Sequence, residues 1–306
     1  MPHPTSGADA LVGCDLPLSW ARGSADPPQL AIRQLPLSRL HWVAQADLPF
    51  GWSFERVYHE HLTTLSGALI RGCSPSLAGF LQHHGWEVAR VGMEAIVDLE
   101  GEGLQRRSVV KMVKQARHHG AAREVAWSTQ AAAQLREFAA RARYAGRPQL
   151  RDLFRNEFTP GTRLFVFDRE DDRWQGAILL SVANRSTVVT ELMLRLPEAP
   201  GGVMESLFAC AGARLRTEGV RQLSLNEAPF FHLGEGLRPN EWLISAVGRQ
   251  MGGAYNAVGL QRFKAKFAPH WRPVYLCARP RLSLLALTDL FAASGCLRLT
   301  LDSGIW

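Results

Sequence analysis

The spacing of hydrophobic and polar residues changes repeatedly along the chain, and each change marks a predicted element. Apolar residues that recur every three to four positions and are closed by glycine or proline predict helices. Apolar runs between turn-forming residues predict strands. Helices are predicted over residues 54–70, 76–84, 104–119, 128–144, 149–158, 203–218, 240–251 and 260–267. Strands are predicted over residues 86–99, 162–167, 174–182, 187–194, 220–225 and 271–276.

The same pattern divides the chain into regions, and its mixture of helices and strands predicts an α+β fold. Pro, Gly, Ser and Asp dominate residues 1–30, which predicts a disordered arm. An N-terminal lobe is predicted over residues 31–125 and a C-terminal lobe over residues 126–285. Residues 286–306 are expected to form a C-terminal tail.

The composition is that of a globular protein with an anionic partner. Hydrophobic residues make up 46% of the chain, charged residues 21%, and the formal net charge is +7. This charge favours nucleic acid, anionic lipid or a phosphorylated small molecule as partner. The five cysteines form no Cys-x-x-Cys pair, which predicts reduced thiols and no metal site. Neither a signal peptide nor an apolar run of about 18 residues is visible, so we expect a cytoplasmic protein without a membrane span.

One predicted helix, over residues 104–119, concentrates the positive charge. Arg107, Lys111 and Lys114 follow each other at helical spacing and form a single stripe. Between residues 104 and 155 there are twelve Arg and Lys residues against three Asp and Glu residues. A face that served only solubility would mix the signs. The stripe is therefore a candidate phosphate- or tRNA-binding face, with a merely solvated face as the alternative.

Four stretches together resemble a known family. The most specific is Tyr255-Asn256-x-x-Gly259-Leu260-x-x-Phe263-Lys264-x-Lys266-Phe267-x-Pro269-x-Trp271-x-Pro273-x-Tyr275-Leu276. The others are Gly92–Leu99, Glu191–Pro200 with Met204-Glu205 beyond it, and Leu225–Pro229. They resemble the C-terminal catalytic domain of bacterial aminoacyl-phosphatidylglycerol synthases, which make lysyl- and alanyl-phosphatidylglycerol. The resemblance covers about residues 80–280.

The resemblance implies a fold and an activity. Together with the element order of the C-terminal lobe, it implies two tandem N-acetyltransferase-like (GNAT-type) lobes, each a mixed, mostly antiparallel sheet flanked by helices. The family moves an aminoacyl group from aminoacyl-tRNA to a lipid hydroxyl, so aminoacyl-tRNA is expected as donor substrate and no cofactor is expected. An anionic lipid such as phosphatidylglycerol is the first acceptor candidate, which would place the protein at the inner face of the membrane.

The matched motifs also nominate site residues. The family's essential lysine matches Lys266, with Lys264 as the competing choice, and Glu191 is the candidate acid or base. Arg195, Glu205, Asn226 and Glu227 are candidate substrate-binding residues. This sequence departs from the family at several places: Glu stands for the usual Asp at 191, Arg195 is one position late, Asn226-Glu227 replaces a Gly before the Ala-Pro pair, and the family's membrane-spanning module is not seen.

Two other functions remain open at this level. An acyl-CoA-dependent N-acyltransferase needs a loop of main-chain N–H groups for pyrophosphate before a helix. The corresponding residues 195–202 contain two prolines, which lack N–H groups, and Glu198, which repels phosphate. The other alternative is a non-catalytic protein that binds RNA or anionic lipid through the basic helix.

Overall fold

The described strands form one continuous sheet. The computed structural model describes residues 15–146, 150–169, 173–229, 231 and 257–302. Within these ranges eleven strands pair in a single mixed sheet. They are β1 (Trp20–Arg22), β2 (Gln29–Gln34), β3 (His41–Leu48), β4 (Ala68–Cys73), β5 (Glu87–Asp98), β6 (Ala121–Val125), β7 (Thr162–Asp168), β8 (Trp174–Asn184), β9 (Thr187–Arg195), β10 (Gln222–Pro229) and β11 (His270–Arg279).

The strand order shows how the two lobes are joined. The order is β1-β3-β4-β11-β5-β10-β9-β8-β7-β6, with β2 paired to β3 at the side. Strand pairing therefore joins the two predicted lobes across their boundary at residue 125, in both directions. Strand β11, late in the chain, lies between β4 and β5, while β6 pairs with β7 in the C-terminal half. The α+β fold, with a mixed and mostly antiparallel sheet flanked by helices, is confirmed, and the described strands of the two predicted lobes join in that one sheet.

Helices cover both faces of this sheet. Four of them begin directly after a serine whose hydroxyl accepts a hydrogen bond from the main-chain N–H three residues later, the usual way to satisfy a helix start. The helices are α1 (Phe54–Val57, continued by a π-helical turn Tyr58–Leu62), α2 (Pro75–His83), α3 (Arg107–Ala116), α4 (Thr129–Ala139), α5 (Val203–Thr217), α6 (Ala257–Ala265), α7 (Leu284–Ala293) and α8 (Cys296–Asp302).

In the described part of the chain, three apolar cores hold these layers together. The largest lies in the C-terminal half, where α5 packs on β6–β9 and Phe208 contacts Phe267 edge to face. A second surrounds Trp20 and Phe54 in the N-terminal half. The third lies on the face covered by α7, around Val274. Two of the cores thus flank the middle of the sheet, where β5, β9, β10 and β11 meet.

Two predictions about the chain ends are wrong. The predicted arm contains the buried strand β1 and the start of β2, so only its first fourteen residues lie outside the described part. The predicted tail forms α7 and α8. The buried carboxylate of Asp289 accepts hydrogen bonds from the main-chain N–H groups of Leu37 (2.9 Å) and Ser38 (2.8 Å). Short terminal segments with few charges were misjudged because their partners are distant in sequence.

Two helix predictions also need correction. The helix expected over residues 54–70 ends at Leu62, and strand β4 begins at Ala68, because apolar residues of a buried strand continue the helical spacing. Residues 150–158 form no helix, although one was expected from 149 to 158. The helix expected over residues 240–251 lies outside the described residues. The remaining predicted helices and strands are confirmed, with the largest differences at the helix predicted to end at 144, which ends at Ala139, and at the strand predicted to end at 225, which continues to Pro229.

Candidate active site

Strands β9 and β10 run parallel and separate after three paired residues. The pairing covers Gln222–Ser224 of β10 against Thr187–Val189 of β9. Against its other neighbour β5, β10 shifts register between Ser224 and Glu227, which is a bulge. Asn226, inside the bulge, has a φ of 66°, a left-handed conformation that asparagine tolerates better than most residues. The sheet is therefore open at this point.

The side chain of Asn226 bridges the gap between the two strands. Its Nδ2 donates to the main-chain oxygen of Thr190 on β9 (2.9 Å), and its Oδ1 accepts from the main-chain N–H of Glu227 (2.6 Å). The Thr190 hydroxyl in turn donates to the main-chain oxygen of Ser224 (2.8 Å). These bonds replace the missing ladder bonds, so the opening has a fixed geometry.

Lys264 fills the inner side of this opening from helix α6. Lys264 as a whole is 1% exposed. Its Nζ donates to the main-chain oxygens of Asn226 (3.0 Å), inside the bulge, and Glu227 (2.7 Å), where pairing with β5 resumes. Burial lowers the pKa of Lys264 to about 7, opposed by the nearby carboxylates of Glu227 and Glu94. Near neutral pH this amine can therefore be present with and without its proton.

Glu227 is an unusual buried carboxylate. Its Oε2 pairs with the guanidinium of Arg71, from strand β4. Its Oε1 is buried and has no hydrogen-bond partner among the described residues. Burial raises the pKa of Glu227, while the charges of Arg71 and Lys264 oppose that rise. The contact with Arg71 favours the ionised form.

A second buried ion pair lies beside the first. Glu94 of β5 accepts from the Ser224 hydroxyl (2.6 Å) and from Nε (2.9 Å) and Nη2 (2.7 Å) of Arg272. Arg272 also lies 3.6 Å from the carboxylate of Asp15. Among the described residues, three cations (Arg71, Lys264 and Arg272) thus lie near three carboxylates (Asp15, Glu94 and Glu227) at the opening.

Glu191 lies one residue beyond Thr190, at a second bulge, where β9 shifts register against β8. Both of its oxygens are used: one accepts from the Ser181 hydroxyl, the other from the main-chain N–H of Arg155 (3.0 Å). Burial raises the pKa of Glu191, and these two hydrogen bonds oppose that rise. Because Glu191 accepts from the main-chain N–H of Arg155, it anchors the segment around residue 155 to the sheet. The Arg155 guanidinium also forms an ion pair with Asp47 (2.9 Å).

The two motif lysines occupy different environments. Lys266 has a side chain that is 43% exposed, and its Nζ donates to Glu205 Oε1 at 2.7 Å. Glu205 is buried in the first turn of α5, where a negative charge is stabilised by the helix dipole. The structure therefore brings Lys264 together with Asn226 and Glu227, and pairs Lys266 with Glu205.

The predicted basic face is exposed. The side chains of Arg107, Lys111 and Lys114 on α3 are exposed and form no hydrogen bond or ion pair within the described ranges. Arg195, at the end of β9, is partly buried and has no side-chain partner in those ranges either. None of these four is joined to the Lys264 cluster by a described contact.

Helix α3 packs closely against the start of α5. Gly202, just before α5, has a φ of 91°, and a Cβ built there would lie 2.1 Å from the main-chain oxygen of Met112 on α3. A carbonyl oxygen thus occupies the position next to the first turn of α5. A phosphate would meet that oxygen instead of free N–H groups, which disfavours pyrophosphate binding here.

Sequence reasoning missed Arg71 and Arg272 and did not single out Glu94 within its motif. Each stands inside an apolar strand, as in Leu69-Ile70-Arg71-Gly72-Cys73. A charged residue in such a run is rarely buried without a partner. That signal could have identified the three residues, but not which of them pair.

Helices long and apolar enough to cross a membrane do not occur in the described part of the chain. In that same part, no three or more His, Cys, Asp or Glu side chains lie together in a way that could hold a metal ion.

A family model and a known protein match this chain. A family model described as "Phosphatidylglycerol lysyltransferase, C-terminal" matches residues 50–278, about three quarters of the chain. The phosphatidylglycerol lysyltransferase of Bacillus subtilis (strain 168) is 26% identical over 110 residues, which are 35% of this chain. The matched stretch spans 13% of that relative's length.

Solved structures share the fold. A C-terminal domain described as that of a lysylphosphatidylglycerol synthetase from Agrobacterium fabrum superposes with a TM-score of 0.65 at 18% identity, over 96% of this chain and 92% of that one. L-PGS from Bacillus licheniformis gives a TM-score of 0.58 at 18% identity, over 80% and 78% of the two chains. FemX gives 0.53 at 10% identity, over 88% and 89%.

Proposed function

This chain belongs to the family of phosphatidylglycerol lysyltransferase C-terminal domains, and we propose that it transfers an aminoacyl group from aminoacyl-tRNA to a hydroxyl or amine acceptor. The family expected from the four motifs is confirmed, and it is a family of transferases. One observation carries the proposal: the buried Lys264 amine, held by two main-chain oxygens where β9 and β10 separate. A buried amine of this kind has the protonation behaviour that acyl transfer requires.

With a hydroxyl acceptor, the proposed reaction exchanges one ester for another, whereas an amine acceptor would give an amide. The acceptor oxygen attacks the carbonyl carbon of the aminoacyl ester, and the bond from that carbon to the ribose oxygen of the tRNA breaks. The acceptor hydroxyl loses a proton and the ribose hydroxyl gains one. A group with a pKa near the working pH carries that proton best, and Lys264, with a pKa of about 7, meets this condition. Its protonated form would also stabilise the developing oxyanion.

The neighbouring residues receive supporting roles in this proposal. Asn226 keeps the opening between β9 and β10 at a fixed width. Glu227 and Glu191 are the candidate acids for the donor's amino group. Lys266 lies at the surface near the start of α5, held by the buried Glu205, and in this proposal it contacts the 3′ end of the tRNA.

The donor would dock along helix α3. Arg107, Lys111 and Lys114 present an exposed positive stripe, and α3 packs directly on α5, which carries Glu205. Phosphates bind such stripes by releasing counterions, so we expect strong salt dependence. Arg195, at the end of β9, is a further candidate for a phosphate contact. No cofactor is needed in this scheme because an aminoacyl ester is already activated.

An anionic lipid such as phosphatidylglycerol is the acceptor proposed first. The net charge of +7 favours peripheral contact with an anionic membrane surface. We therefore propose a cytoplasmic protein that acts at the inner face of the membrane.

Two alternatives have less support. Transfer from acyl-CoA would use the start of α5, where the main-chain oxygen of Met112 and two prolines leave little for pyrophosphate. A non-catalytic RNA- or lipid-binding protein would not need a lysine buried against main-chain oxygens, because desolvation of such an amine costs free energy.

The test is label transfer. Purified protein is incubated with a mixed pool of tRNAs charged with labelled amino acids and a total lipid extract. We expect labelled lipid with the natural protein and none with Lys264→Ala, and Lys266→Ala tests the competing lysine. If no lipid is labelled, the lipid acceptor is wrong. If the charged pool also stays unconsumed when cell metabolites are added, tRNA dependence is wrong. Acyl transfer from acetyl-CoA would establish the CoA alternative.

A further inference from the structure

One carboxylate oxygen of Glu227 is buried without a hydrogen-bond partner among the described residues. Oε2 of this carboxylate is paired with Arg71, whereas Oε1 has no partner in the part of the chain that the structure describes. Glu227 as a whole is 2% exposed. Buried polar atoms in native proteins are nearly always hydrogen-bonded, so an unsatisfied one calls for a specific reason. Completion of the site by a ligand is one such reason.

The structure keeps this oxygen at a defined place. A Cβ built on Gly92 would lie 2.7 Å from Glu227 Oε1, so a side chain at position 92 would displace the carboxylate. The main-chain oxygen of Glu227 also accepts a hydrogen bond from Lys264 Nζ at 2.7 Å. The free oxygen therefore belongs to a residue whose main chain directly contacts the proposed acyl-transfer amine.

The charges around the opening favour a cation there. Arg71 and Arg272 carry two positive charges, and Asp15, Glu94 and Glu227 carry three negative ones. When Lys264 is neutral, one negative charge is left without balance. A ligand with a single positive charge would restore neutrality, and it would also favour the neutral form of Lys264 that can accept a proton.

The other acid near the opening is already occupied. Both oxygens of Glu191 accept hydrogen bonds, from the Ser181 hydroxyl and the Arg155 main-chain N–H. Among the acids described near the opening, Glu227 is thus the one that retains an unused acceptor.

Building on the aminoacyl transfer proposed above, we infer that Glu227 Oε1 binds the α-ammonium group of the aminoacyl donor, and that the site thereby selects donors with a free α-amine. In an aminoacyl ester one carbon atom separates the α-nitrogen from the carbonyl carbon. An ammonium on Oε1 therefore brings the ester to the main-chain segment that holds Lys264. An α-N-acylated donor has no positive charge there and leaves Oε1 buried and unpaired.

The experiment compares two donors that differ only in that group. A mixed pool of charged tRNAs is divided, and one half is α-N-acetylated. kcat/KM is measured for both halves with the natural protein, with Glu227→Gln, and with the exposed control Glu100→Gln. The natural protein should prefer the free amine by about a hundredfold or more, because a site built for a polar group rejects the analogue that lacks it. Glu227→Gln should lose about a hundredfold on the free amine and little on the acetylated donor. Glu100→Gln should match the natural protein.

Two results would overturn the inference. One is equal use of both donors by the natural protein, a measurement that does not depend on whether the variant folds. The other is an equal loss on both donors in folded Glu227→Gln, which would make Glu227 an acid–base or structural group. Absence of transfer from either donor would instead refute the proposed function. Binding of a 3′-aminoacylamino adenosine and its α-N-acetyl form would then still decide the inference on its own, since equal affinity for the two would overturn it.

Discussion

Lys264 places its amine 2.7 Å from the main-chain oxygen of Glu227, inside the sheet and away from the surface of its own helix. An amine that bonds carbonyl oxygens is held by dipoles, so its charge is only partly compensated and its proton is easily lost. This separates Lys264 from Lys266, which bonds a carboxylate and is 43% exposed.

The first prediction concerns the two lysines. Lys264→Met should lower kcat for aminoacyl transfer by about 10² to 10⁴, the usual range for losing a general acid–base group. Lys266→Met should lower it less than about tenfold, because an exposed ion pair contributes little. Rates are measured with charged tRNA under saturating acceptor, and thermal unfolding checks that both variants are folded.

The pH profile sharpens this prediction. If neutral Lys264 accepts the proton, the rate should rise with pH through an apparent pKa of about 7. Lys264→Arg keeps a permanent positive charge, so its rate should not show this rise with pH. If the rate of Lys264→Arg still rose with pH through the same apparent pKa, the titration would belong to another group.

The second prediction concerns stability against pH. The pKa of Lys264 is about 7 in the fold, against 10.5 ordinarily, so between these values the unfolded chain binds one more proton. The free energy of unfolding contributed by this group therefore rises with pH across that window and is lowest below pH 7. Denaturant unfolding of the natural protein and Lys264→Met at pH 7, 8 and 9 should show a difference that grows in favour of the natural protein. A difference that is flat or shrinks would contradict the lowered pKa.

The third prediction concerns the buried pair of Glu94 and Arg272. Glu94→Gln should lower the free energy of unfolding by about 3–5 kcal/mol, because it leaves a buried guanidinium poorly compensated. The double variant Glu94→Leu with Arg272→Met should recover much of that loss. The exposed pair of Arg56 and Glu60 is the control, and Glu60→Gln should change stability by less than about 1 kcal/mol. Strictly additive losses in the double variant would show that the two charges are not coupled.

The fourth prediction concerns the basic face. Lys111→Ala with Lys114→Ala should raise KM for charged tRNA and make it less dependent on salt, because each lost phosphate contact lowers the logarithmic slope by about 0.7 to 0.9. The melting temperature should not change, since both side chains are exposed. Arg185→Ala with Arg216→Ala, exposed elsewhere, is the matched control. Equal effects of both pairs would indicate that only the net charge matters.

Much of the fold could be predicted because its elements have local signals. The C-terminal lobe follows the period of its apolar residues, and Ser74 and Ser128 mark helix starts by their own hydroxyls. The failures depend on distant partners. Strand β1 is short and lies in a stretch rich in turn residues, so only its parallel pairing with β3 defines it. Helix α7 is fixed by Asp289, whose partners lie about 250 residues earlier.

The sequence identified several residues of the candidate site, but it did not predict how they contact one another. Lys264, Asn226 and Glu227 were all nominated, yet nothing in the spacing shows that a lysine of α6 reaches the carbonyl oxygens of a bulge. Arg71 was missed because a strand in the other half of the sheet brings it to Glu227. Whether Lys264 or Lys266 is inside depends on which face of α6 meets the sheet, and that is decided by Phe263 and Phe267 packing on Phe208.

The position of β11 has a consequence for how the protein is made. Because β4 and β5 do not pair with each other but with β11, the N-terminal half of the sheet is incomplete until residue 279 has left the ribosome. Until then, two strands expose unpaired edges, which invite aggregation or chaperone binding. A ribosome-stalled chain that ends before β11 should therefore be far more sensitive to protease in residues 68–98 than the finished chain.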